Sequence, residues 1–457
     1  MSYLVNACYE QEHIHGCRSA EFSKIAVACA EACSTSLFLH LEGTYLARAD
    51  SLACALARGC RIFVAPSFPA ELLARQDITL ICVKDPIAEL YRLANLFRLN
   101  SPAKIIAVTG SSGKTTCKDM IAFLLRQRYT NTLKTYRNYN GLLGVPLTVR
   151  KLCADDAFAV VEIGMGEPGT LAKAAELVRP DVGVITNIGV SHIGKYGTQK
   201  NIAREKGTLL PTIASSGIAI LNGDDRECRE LGGRHPGKTI YYGHGADNEL
   251  VADNFAQAMT GLTFSVRYGG QKTHFSLPCH GHFQVHNALA ALAVGLYFGF
   301  TLAEMSPRLS QFTPATQRLR PMHLGNIVLL DDGYNSNPLS LAAALQALTA
   351  LPIAPRQKVA VIGDMQELGG LTLHYYEELL LLLLSLDVKQ VFLIGPLVQK
   401  LARQLPNATT AATPKEIVAL LQAHVVEGSV ILLKGQDDIL FASIRDEIIS
   451  WSHKAER

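Results

Sequence analysis

The fold of this chain is decided by the stretch Lys104-Ile105-Ile106-Ala107-Val108-Thr109-Gly110-Ser111-Ser112-Gly113-Lys114-Thr115-Thr116. Its residues up to position 108 predict a buried strand, and a helical pattern runs from Thr115 to about Arg128. Glycines lie between the strand and the helix. This arrangement is typical of phosphate-binding loops, because backbone N–H groups and the helix N-terminus attract phosphate oxygens there.

The loop at 109–116 therefore predicts a site for ATP. Gly110 and Gly113 allow backbone N–H groups to turn toward phosphate oxygens. Lys114 is expected to reach the β- and γ-phosphates, and Thr115 is expected to bind Mg²⁺. The spacing is GxxGKTT instead of the commoner GxxxxGK[ST], and the alternative is a glycine turn with a surface lysine. The predicted nucleotide-binding residues are Thr109, Gly110, Ser111, Ser112, Gly113, Lys114, Thr115 and Thr116.

Apolar strands alternate with helical patterns after the loop, and this alternation predicts an α/β protein with a mostly parallel sheet covered on both faces. The stretch 240–278 instead alternates residue by residue and predicts antiparallel strands at one edge. Beyond it, further buried strands separated by helices predict a second doubly wound unit. The buried strands are predicted at 158–163, 182–186, 217–221, 327–330, 358–362, 390–394 and 429–433.

Two breaks in these patterns, at 100–103 and near 312–314, each contain a proline and divide the chain into three predicted domains. Residues 1–98 form a small N-terminal α/β domain. Residues 99–312 form a central ATP-binding domain of P-loop type, and residues 313–457 form a C-terminal Rossmann-like domain. A chain of 457 residues is too long for a single core, which agrees with this division.

The composition is that of an ordinary globular protein, with 48% apolar and 18% charged residues. A net charge of +3 gives no electrostatic reason to expect nucleic acid or a membrane surface as partner. The most apolar run, 379–384, is too short to cross a membrane and predicts a buried helix. Small-molecule partners and a monomer are therefore expected.

The eleven cysteines are scattered without a CxxC pair, and their number is odd. This argues against a disulfide framework and against a zinc site. Cys29 and Cys33 lie four residues apart in a predicted helix and are expected to be buried thiols. This cysteine pattern fits a reducing cytoplasm best. The N-terminus also lacks the basic region and apolar core of a signal peptide.

Two residues after the loop point to metal chemistry. Glu162 lies inside an apolar strand, where an ionised carboxylate is costly unless a cation or hydrogen bonds accompany it. His192 follows the end of the next strand, at the sheet edge where ligands collect. The alternatives are a solvated acid at a strand end and a capped loop histidine. Lys206 by itself is typical of a solvated helix lysine.

The loop, Glu162 and His192 belong to an ordered set of motifs. With that set, the chain resembles the Mur ligases, the ATP-dependent amide-forming enzymes of peptidoglycan synthesis. The resemblance covers residues 104–370 well. The further motifs are Asn-Tyr-Asn-Gly-Leu-Leu-Gly-Val-Pro-Leu-Thr at 138–148, VEIG at 161–164, TNIGVSHIGKYG at 186–197, LNGDD at 221–225 and DDGYNSNP at 331–338.

The resemblance assigns roles to single residues. It implies that Lys206 is carbamylated and serves as an anionic ligand for a second Mg²⁺, and that Lys114, His192 and Lys206 are catalytic. Two Mg²⁺ ions would then be held by Thr115, Glu162, His192 and Lys206. It further implies three contacts with the nucleotide, which are Asn287 to the adenine, Arg318 to the γ-phosphate and Asp332 to the ribose.

The resemblance also implies a reaction. A carboxylate and an amine, both small molecules, are joined into an amide through an acyl phosphate with release of ADP. The foremost prediction is addition of D-Ala-D-Ala to UDP-MurNAc-tripeptide, with the UDP-sugar held by the N-terminal domain. One alternative is a Mur-type ligase for another carboxylate, such as a natural-product, poly-amino-acid or tetrapyrrole-cofactor acid. The alternative of a different class is a nucleotide-dependent regulatory binding protein.

Three segments depart from the pattern of these ligases. Residues 37–43 keep the LFxALxG-like element of the nucleotide-sugar site, but 44–51 replace its DGH segment, and 17–19 match the preceding element only faintly. Phe283-Gln284 stands where many relatives have His-Asn, and 434–438 reads KGQDD where KGSR is usual. These departures leave open which carboxylate is activated.

Overall fold

The computed structural model describes residues 2–10, 13–436 and 438–455. They form a mixed α/β structure with three main sheets, one for each part of the chain, and the two larger sheets are mostly parallel. The predicted fold class is thereby confirmed. The exact domain boundaries at 98/99 and 312/313 stay a prediction.

The N-terminal part has a five-stranded sheet in the order β2-β7-β6-β5-β4, parallel except for β2. A short antiparallel pair, β1 and β3, lies beside it. Its elements are β1 (Tyr3–Leu4), α1 (Val5–Cys8), β2 (Ile14–His15), β3 (Glu21–Phe22), β4 (Lys24–Ala26), β5 (Ser36–Leu39), α2 (Ser51–Ala57), β6 (Ile62–Ala65), α3 (Ala70–Leu73), β7 (Thr79–Cys82) and α4 (Pro86–Asn100).

The central part has a nine-stranded sheet in the order β16-β15-β14-β13-β12-β11-β8-β10-β9. Only β14, β15 and β16 pair antiparallel, as the alternation at 240–278 predicted. Its elements are β8 (Lys104–Thr109), α5 (Lys114–Leu125), β9 (Thr132–Lys134), α6 (Gly144–Val149), β10 (Phe158–Glu162), α7 (Thr170–Val178), β11 (Val182–Ile185), α8 (Ile193–Tyr196), α9 (Gln199–Gly207), β12 (Ile218–Asn222), α10 (Arg226–Gly232), β13 (Lys238–Gly243), β14 (Leu250–Ala258), β15 (Gly261–Tyr268), β16 (Gln271–Leu277), α11 (Phe283–Tyr297) and α12 (Leu302–Leu309).

The C-terminal part has a six-stranded sheet in the order β17-β18-β22-β19-β20-β21, in which only β17 and β18 pair antiparallel. Asn337 caps the first helix through Ser340, and Pro338 occupies the first helical turn. Its elements are β17 (Arg320–Leu324), β18 (Ile327–Asp332), α13 (Pro338–Thr349), β19 (Lys358–Gly363), α14 (Thr372–Ser385), β20 (Gln390–Ile394), β21 (Ala408–Thr410), α15 (Pro414–His424), β22 (Val430–Lys434) and α16 (Asp438–Ala455).

Two expectations from the sequence are corrected. Cys29 is not a free thiol, because it is bonded to Cys54 with a Cα–Cα distance of 5.8 Å, and it lies in a single 3₁₀ turn before Cys33. The apolar run in α14 is buried on one face only. Leu381 and Leu384 are exposed, because only the opposite face of the helix, with Leu379, Leu380 and Leu383, packs into the core. No helix in the described ranges combines the length and apolarity that crossing a bilayer requires.

Candidate active site

The predicted site residues converge because β8, β10 and β11 are parallel neighbours. Glu162 at the end of β10 is level with Val108, and Ile185 at the end of β11 is level with Thr109. The carboxyl ends of these strands therefore share one edge of the sheet, where an open α/β sheet binds its ligands. The loop at 109–116 crosses this edge and enters α5.

The two loop glycines are required by close contacts as well as by backbone shape. Gly110 has φ +149° and Gly113 has φ +80°, a region that side chains disfavour. A Cβ at position 110 would overlap the hydroxyl of Thr186. A Cβ at position 113 would overlap the side-chain oxygen of Asn287, which places this predicted adenine contact directly against the loop.

Two N–H groups of the loop are already paired within the protein. The N–H groups of Ser111 and Ser112 donate to the backbone and side-chain oxygens of Asn187, both at 2.9 Å. The first helical bond of α5 runs from Cys117 N–H to Gly113 O, so the N–H groups just before it lack helical partners. The N–H groups of residues 113–116 are therefore candidates for binding phosphate, and the assignment of residues 109–116 to the nucleotide stays a prediction.

Lys114 lies folded over the loop. Its Nζ donates to Gly110 O at 2.7 Å and is 3.4 Å from Ser111 O. Burial lowers the pKa of this ammonium, Glu162 opposes the effect, and the cation of Arg318 adds to it. A phosphate in the loop would supply negative charge that balances the two neighbouring cations, Lys114 and Arg318.

Glu162 is 1% exposed, and its carboxylate has several partners. Its Oε1 accepts from Thr115 Oγ1 at 3.0 Å and from Asn140 Nδ2 at 2.6 Å. Its Oε2 lies 3.5 Å from Lys118 Nζ but has no hydrogen-bond partner among the described residues. The cost of burying this charge is therefore offset by a lysine as well as by hydrogen bonds.

Lys118 was missed by the sequence reasoning. It is fully buried in α5 and also donates to the carbonyl oxygens of Thr135 and Arg137. The available signal was its place four residues after Lys114, on the same helix face as the apolar residues that follow. Asn140, in the motif at 138–148, was likewise not predicted to contact Glu162.

The donor set at this edge fits Mg²⁺. Thr115 and Glu162 present a hydroxyl and a carboxylate oxygen 3.0 Å apart, and the second carboxylate oxygen is buried without a hydrogen bond. Oxygen ligands of this kind, completed by water and phosphate, are those that Mg²⁺ prefers. His192 lines the same cavity as Thr115 and Glu162. Its Nδ1, however, lies 2.7 Å from Oε2 of Glu367 in the C-terminal part.

Lys206 is not a solvated helix lysine. It is 1% exposed, and its Nζ donates to Gly110 O at 3.0 Å and contacts Met165 Sδ at 2.9 Å. Burial, followed by the cation of Lys114, lowers its pKa well below the ordinary value. The structure therefore places an amine with reduced proton affinity directly behind the phosphate loop.

Arg318 and Asp332 come from the C-terminal part and meet the same loop. Arg318 Nη2 donates to Thr115 Oγ1 at 3.3 Å, and its guanidinium lies over the ring of Tyr334 at 4.2 Å. Asp332 accepts from Lys434 Nζ at 2.7 Å and from Leu319 N–H at 3.1 Å. Both side chains line one cavity together with the loop, and their contacts with phosphate and ribose stay predictions.

Two cavities meet at this point. A cavity of about 990 Å³ is lined by the loop, Glu162, His192, Asn287 and Asp332. A second cavity of about 1470 Å³ lies between residues 134–139, 315–320 and helix α16. The residues that line both are Thr115, Asn138, Arg318 and Tyr334.

Two family models match the chain. The Mur ligase middle domain matches residues 108–295, and the Mur ligase glutamate ligase domain matches residues 317–436. A relative from Escherichia coli strain K12, named UDP-N-acetylmuramoyl-tripeptide–D-alanyl-D-alanine ligase, is 32% identical over 73% of each chain. The chain belongs to the Mur ligase family. It is therefore an ATP-dependent amide ligase that forms ADP, and the expected enzyme class is confirmed.

Other similar proteins extend over nearly the whole chain. The Bacillus subtilis strain 168 protein of the same name is 28% identical over 98% of this chain and 95% of its own length. A crystal structure of MurF from Acinetobacter baumannii has a TM-score of 0.84 and 27% identity, covering 94% of both chains. The similarity thus includes the N-terminal part, where the sequence motifs were weakest.

The departures of this Mur ligase from the usual motifs have structural partners. Gln284 accepts from Asn287 Nδ2 at 2.9 Å and so orients the predicted adenine contact. The side-chain oxygen of Gln436 accepts from Gln366 N–H at 2.8 Å, so the KGQDD segment is bonded to the loop that follows β19. Asp437 of that segment lies outside the described residues. Tyr45 in the segment 44–51 is close enough to Tyr139 that burial, and then this phenol, raise its pKa.

Proposed function

We propose that this Mur ligase adds D-alanyl-D-alanine to a UDP-N-acetylmuramoyl-tripeptide, with conversion of ATP into ADP and phosphate. The observation that carries the proposal is the extent of the similarity. Relatives named for this reaction match the chain over up to 98% of its length, beyond the ATP-binding motifs.

The two cavities suggest separate binding places for ATP and for the two substrates that are joined. ATP occupies the smaller cavity, with its phosphates at residues 113–116 and its adenine at Asn287. The carboxylate and the amine enter the larger cavity. Thr115 and Arg318 line both, so the γ-phosphate and the carboxylate meet beside them. This proximity supplies the orientation that phosphoryl transfer needs.

The proposed reaction has two chemical steps. A carboxylate oxygen of the tripeptide attacks the γ-phosphorus of ATP, the bond to the bridging oxygen breaks, and ADP leaves. The amine of D-Ala-D-Ala then attacks the carbonyl carbon of the acyl phosphate, loses a proton, and phosphate leaves with the electron pair of the broken C–O bond. Lys114 and Arg318 hold cationic groups near the phosphoryl oxygens throughout.

Mg²⁺ held by Thr115 and Glu162 would neutralise phosphate charge between ATP and the carboxylate. The C-terminal part closes the site from the other side. His192 contacts Glu367, and the N–H of Gly194 donates to Glu367 O at 2.9 Å. This contact keeps water away from the acyl phosphate, which hydrolysis would otherwise destroy.

Lys206 is proposed to carry a carbamate. The lowered pKa of Lys206 increases the fraction of the side chain that is a neutral amine. This amine attacks the carbon of CO₂ and loses one proton to give an anionic carbamate. The nearby cation of Lys114 favours the anion over an ammonium. With His192, the carbamate would form the site of a second Mg²⁺.

We expect Lys206→Ala to lower kcat by roughly 100-fold, because an anionic ligand is lost. Short-chain carboxylates are expected to restore part of the rate by occupying the vacated space. Lys200→Ala, an exposed lysine in the same helix, serves as the control. ¹³C-bicarbonate labelling should give a carbamate carbon signal in the parent protein and not in the variant. A full ligase rate in Lys206→Ala contradicts the carbamate.

The proposed reaction is tested by measuring ADP release from ATP and Mg²⁺ with UDP-MurNAc-tripeptide and D-Ala-D-Ala. Release is expected only with both substrates, and mass spectrometry should detect the UDP-MurNAc-pentapeptide. Omission of either substrate is the control. Protein that binds ATP but does not turn over this pair contradicts the proposal, and turnover of another carboxylate would establish the alternative ligase.

We also propose the finer features that the resemblance implies. The domains are divided at 98/99 and 312/313, and the N-terminal domain holds the UDP-sugar. The enzyme acts as a monomer in the cytoplasm, where nucleotide-activated precursors and ATP are available.

A further inference from the structure

A cluster of one acid and two histidines lies on the wall of the nucleotide cavity and takes no part in the proposed reaction. Asp224, from the motif at 221–225, and His286, next to Asn287, both line the cavity. His244 follows β13 and approaches them from the side. The possible ligand atoms of the three residues all lie within 4.8 Å of one another.

Asp224 is held in a fixed position. Its carboxylate accepts from the N–H groups of His244 at 2.6 Å and Gly245 at 3.0 Å, and from Asn248 Nδ2 at 3.0 Å. Its Oδ2 also lies 2.9 Å from His286 Nε2. Three donors from one loop therefore fix the carboxylate, and His286 bonds to it from helix α11.

The His244 side chain has a hydrogen bond with the backbone of Ala252, but its other ring nitrogen is not explained by hydrogen bonding. Its ring lies 4.3 Å from the ring of His286 and 4.5 Å from that of Phe255, measured between centroids. Its Nδ1 is buried and has no hydrogen-bond partner among the described residues. A buried ring nitrogen without a partner costs free energy unless a proton donor or a metal ion meets its lone pair.

The chemistry of the three groups selects a class of ligand. Two imidazole nitrogens and one carboxylate oxygen are the donors of zinc and related ions, whereas Mg²⁺ prefers oxygen throughout. An ion between Asp224 and His286 Nε2 takes the place of the hydrogen that joins them. The His286 ring then keeps its proton on its other nitrogen, Nδ1. We propose that Asp224, His244 and His286 bind one divalent transition-metal ion, beside the adenine end of the nucleotide cavity.

The site is distinct from the catalytic one in both ligands and location. It contains no cysteine, so the scattered cysteines have no bearing on it. It uses neither Thr115 nor Glu162, and a failure of the proposed ligase reaction leaves it untouched. Binding of the ion would join α11 to the loop after β13 more firmly than the shared contact with Asp224 and the contact between the His244 and His286 rings.

The test uses the full-length protein, freed of metal by a chelator and titrated with Co²⁺ in excess Mg²⁺ without substrates. We expect about one equivalent of Co²⁺ with visible d–d absorption and no near-ultraviolet band from cysteine sulfur. Zn²⁺ should displace it. Absence of binding, or a spectrum dominated by the sulfur band, overturns the proposal.

Single-residue variants locate the ion. His244→Phe keeps the ring contacts with Phe255 and removes both nitrogens, and His286→Gln removes the second imidazole. Each is expected to weaken Co²⁺ binding at least tenfold. His424→Gln, a histidine at the end of α15, is the matched control and should bind as the parent does. Circular dichroism checks that each variant is folded. Unchanged Co²⁺ affinity in folded His244→Phe overturns the assignment.

Discussion

Replacing Lys114 by methionine is expected to lower kcat by about 10³-fold, the largest effect on activity that the structure predicts for one residue. Lys114 lies over the loop and donates to Gly110 O. Methionine keeps most of the apolar stem and removes the charge that meets the β- and γ-phosphates. Charge on those oxygens grows during transfer, so the loss falls mainly on kcat. ADP release under saturating ATP measures it.

The control is Lys238→Met, an exposed lysine at the start of β13, which should keep the parent rate. Nucleotide binding to Lys114→Met, measured by calorimetry, separates binding from chemistry. A moderate loss of ATP affinity with a much larger loss of kcat supports the role. A variant that keeps its kcat and loses only ATP affinity contradicts it, because Lys114 would then contribute to ground-state binding alone.

The second large effect is expected on stability. Lys118→Met should lower the free energy of unfolding by about 3–5 kcal/mol, because it leaves the buried carboxylate of Glu162 without its nearest cation. It also removes two hydrogen bonds to the carbonyl oxygens at 135 and 137. These carbonyl oxygens shape the segment that lines the substrate cavity, so kcat should fall as well. Denaturant unfolding followed by circular dichroism gives the change.

Lys151→Met is the matched control, because Lys151 is exposed and its ion pair with Glu31 at 3.4 Å is accessible to water. We expect about 0–1 kcal/mol for it. The double variant Lys118→Met with Glu162→Gln should recover part of the lost stability, since a neutral amide is cheaper to bury than an unpaired carboxylate. If the double variant is destabilised by the sum of the two single changes, the pair is not coupled and the electrostatic explanation is wrong.

Much of the architecture could be predicted because its signals are local. Strands such as Phe158–Glu162 and Val182–Ile185 are short apolar runs, and runs of this kind in an α/β pattern lie in a parallel sheet. Helix α5 ends at Leu125, three residues before the predicted end, because helix ends depend on packing and capping. The glycines at 110 and 113 made the loop recognisable in the sequence, because the backbone angles at these positions exclude most other residues.

The partners of the site residues were not predictable in the same way. A lysine such as Lys118 or Lys206 has the same local sequence signal whether it is solvated or buried. Only the packing of α5 against the sheet, and of Lys206 against Gly110 and Met165, removes these two side chains from water. Likewise, nothing local relates Cys29 to Cys54, which lie 25 positions apart.

The sequence by itself determined the order of strands and helices, the phosphate loop and the family, because each follows from residues that are close neighbours along the chain. Tertiary structure alone decided which distant groups meet. It brought Arg318 to Thr115 and Glu367 to His192, and it placed Asp224 beside His286. Charge neutralisation and metal coordination depend on distances of a few ångströms between such groups, and these distances are set only when the sheets and helices pack together.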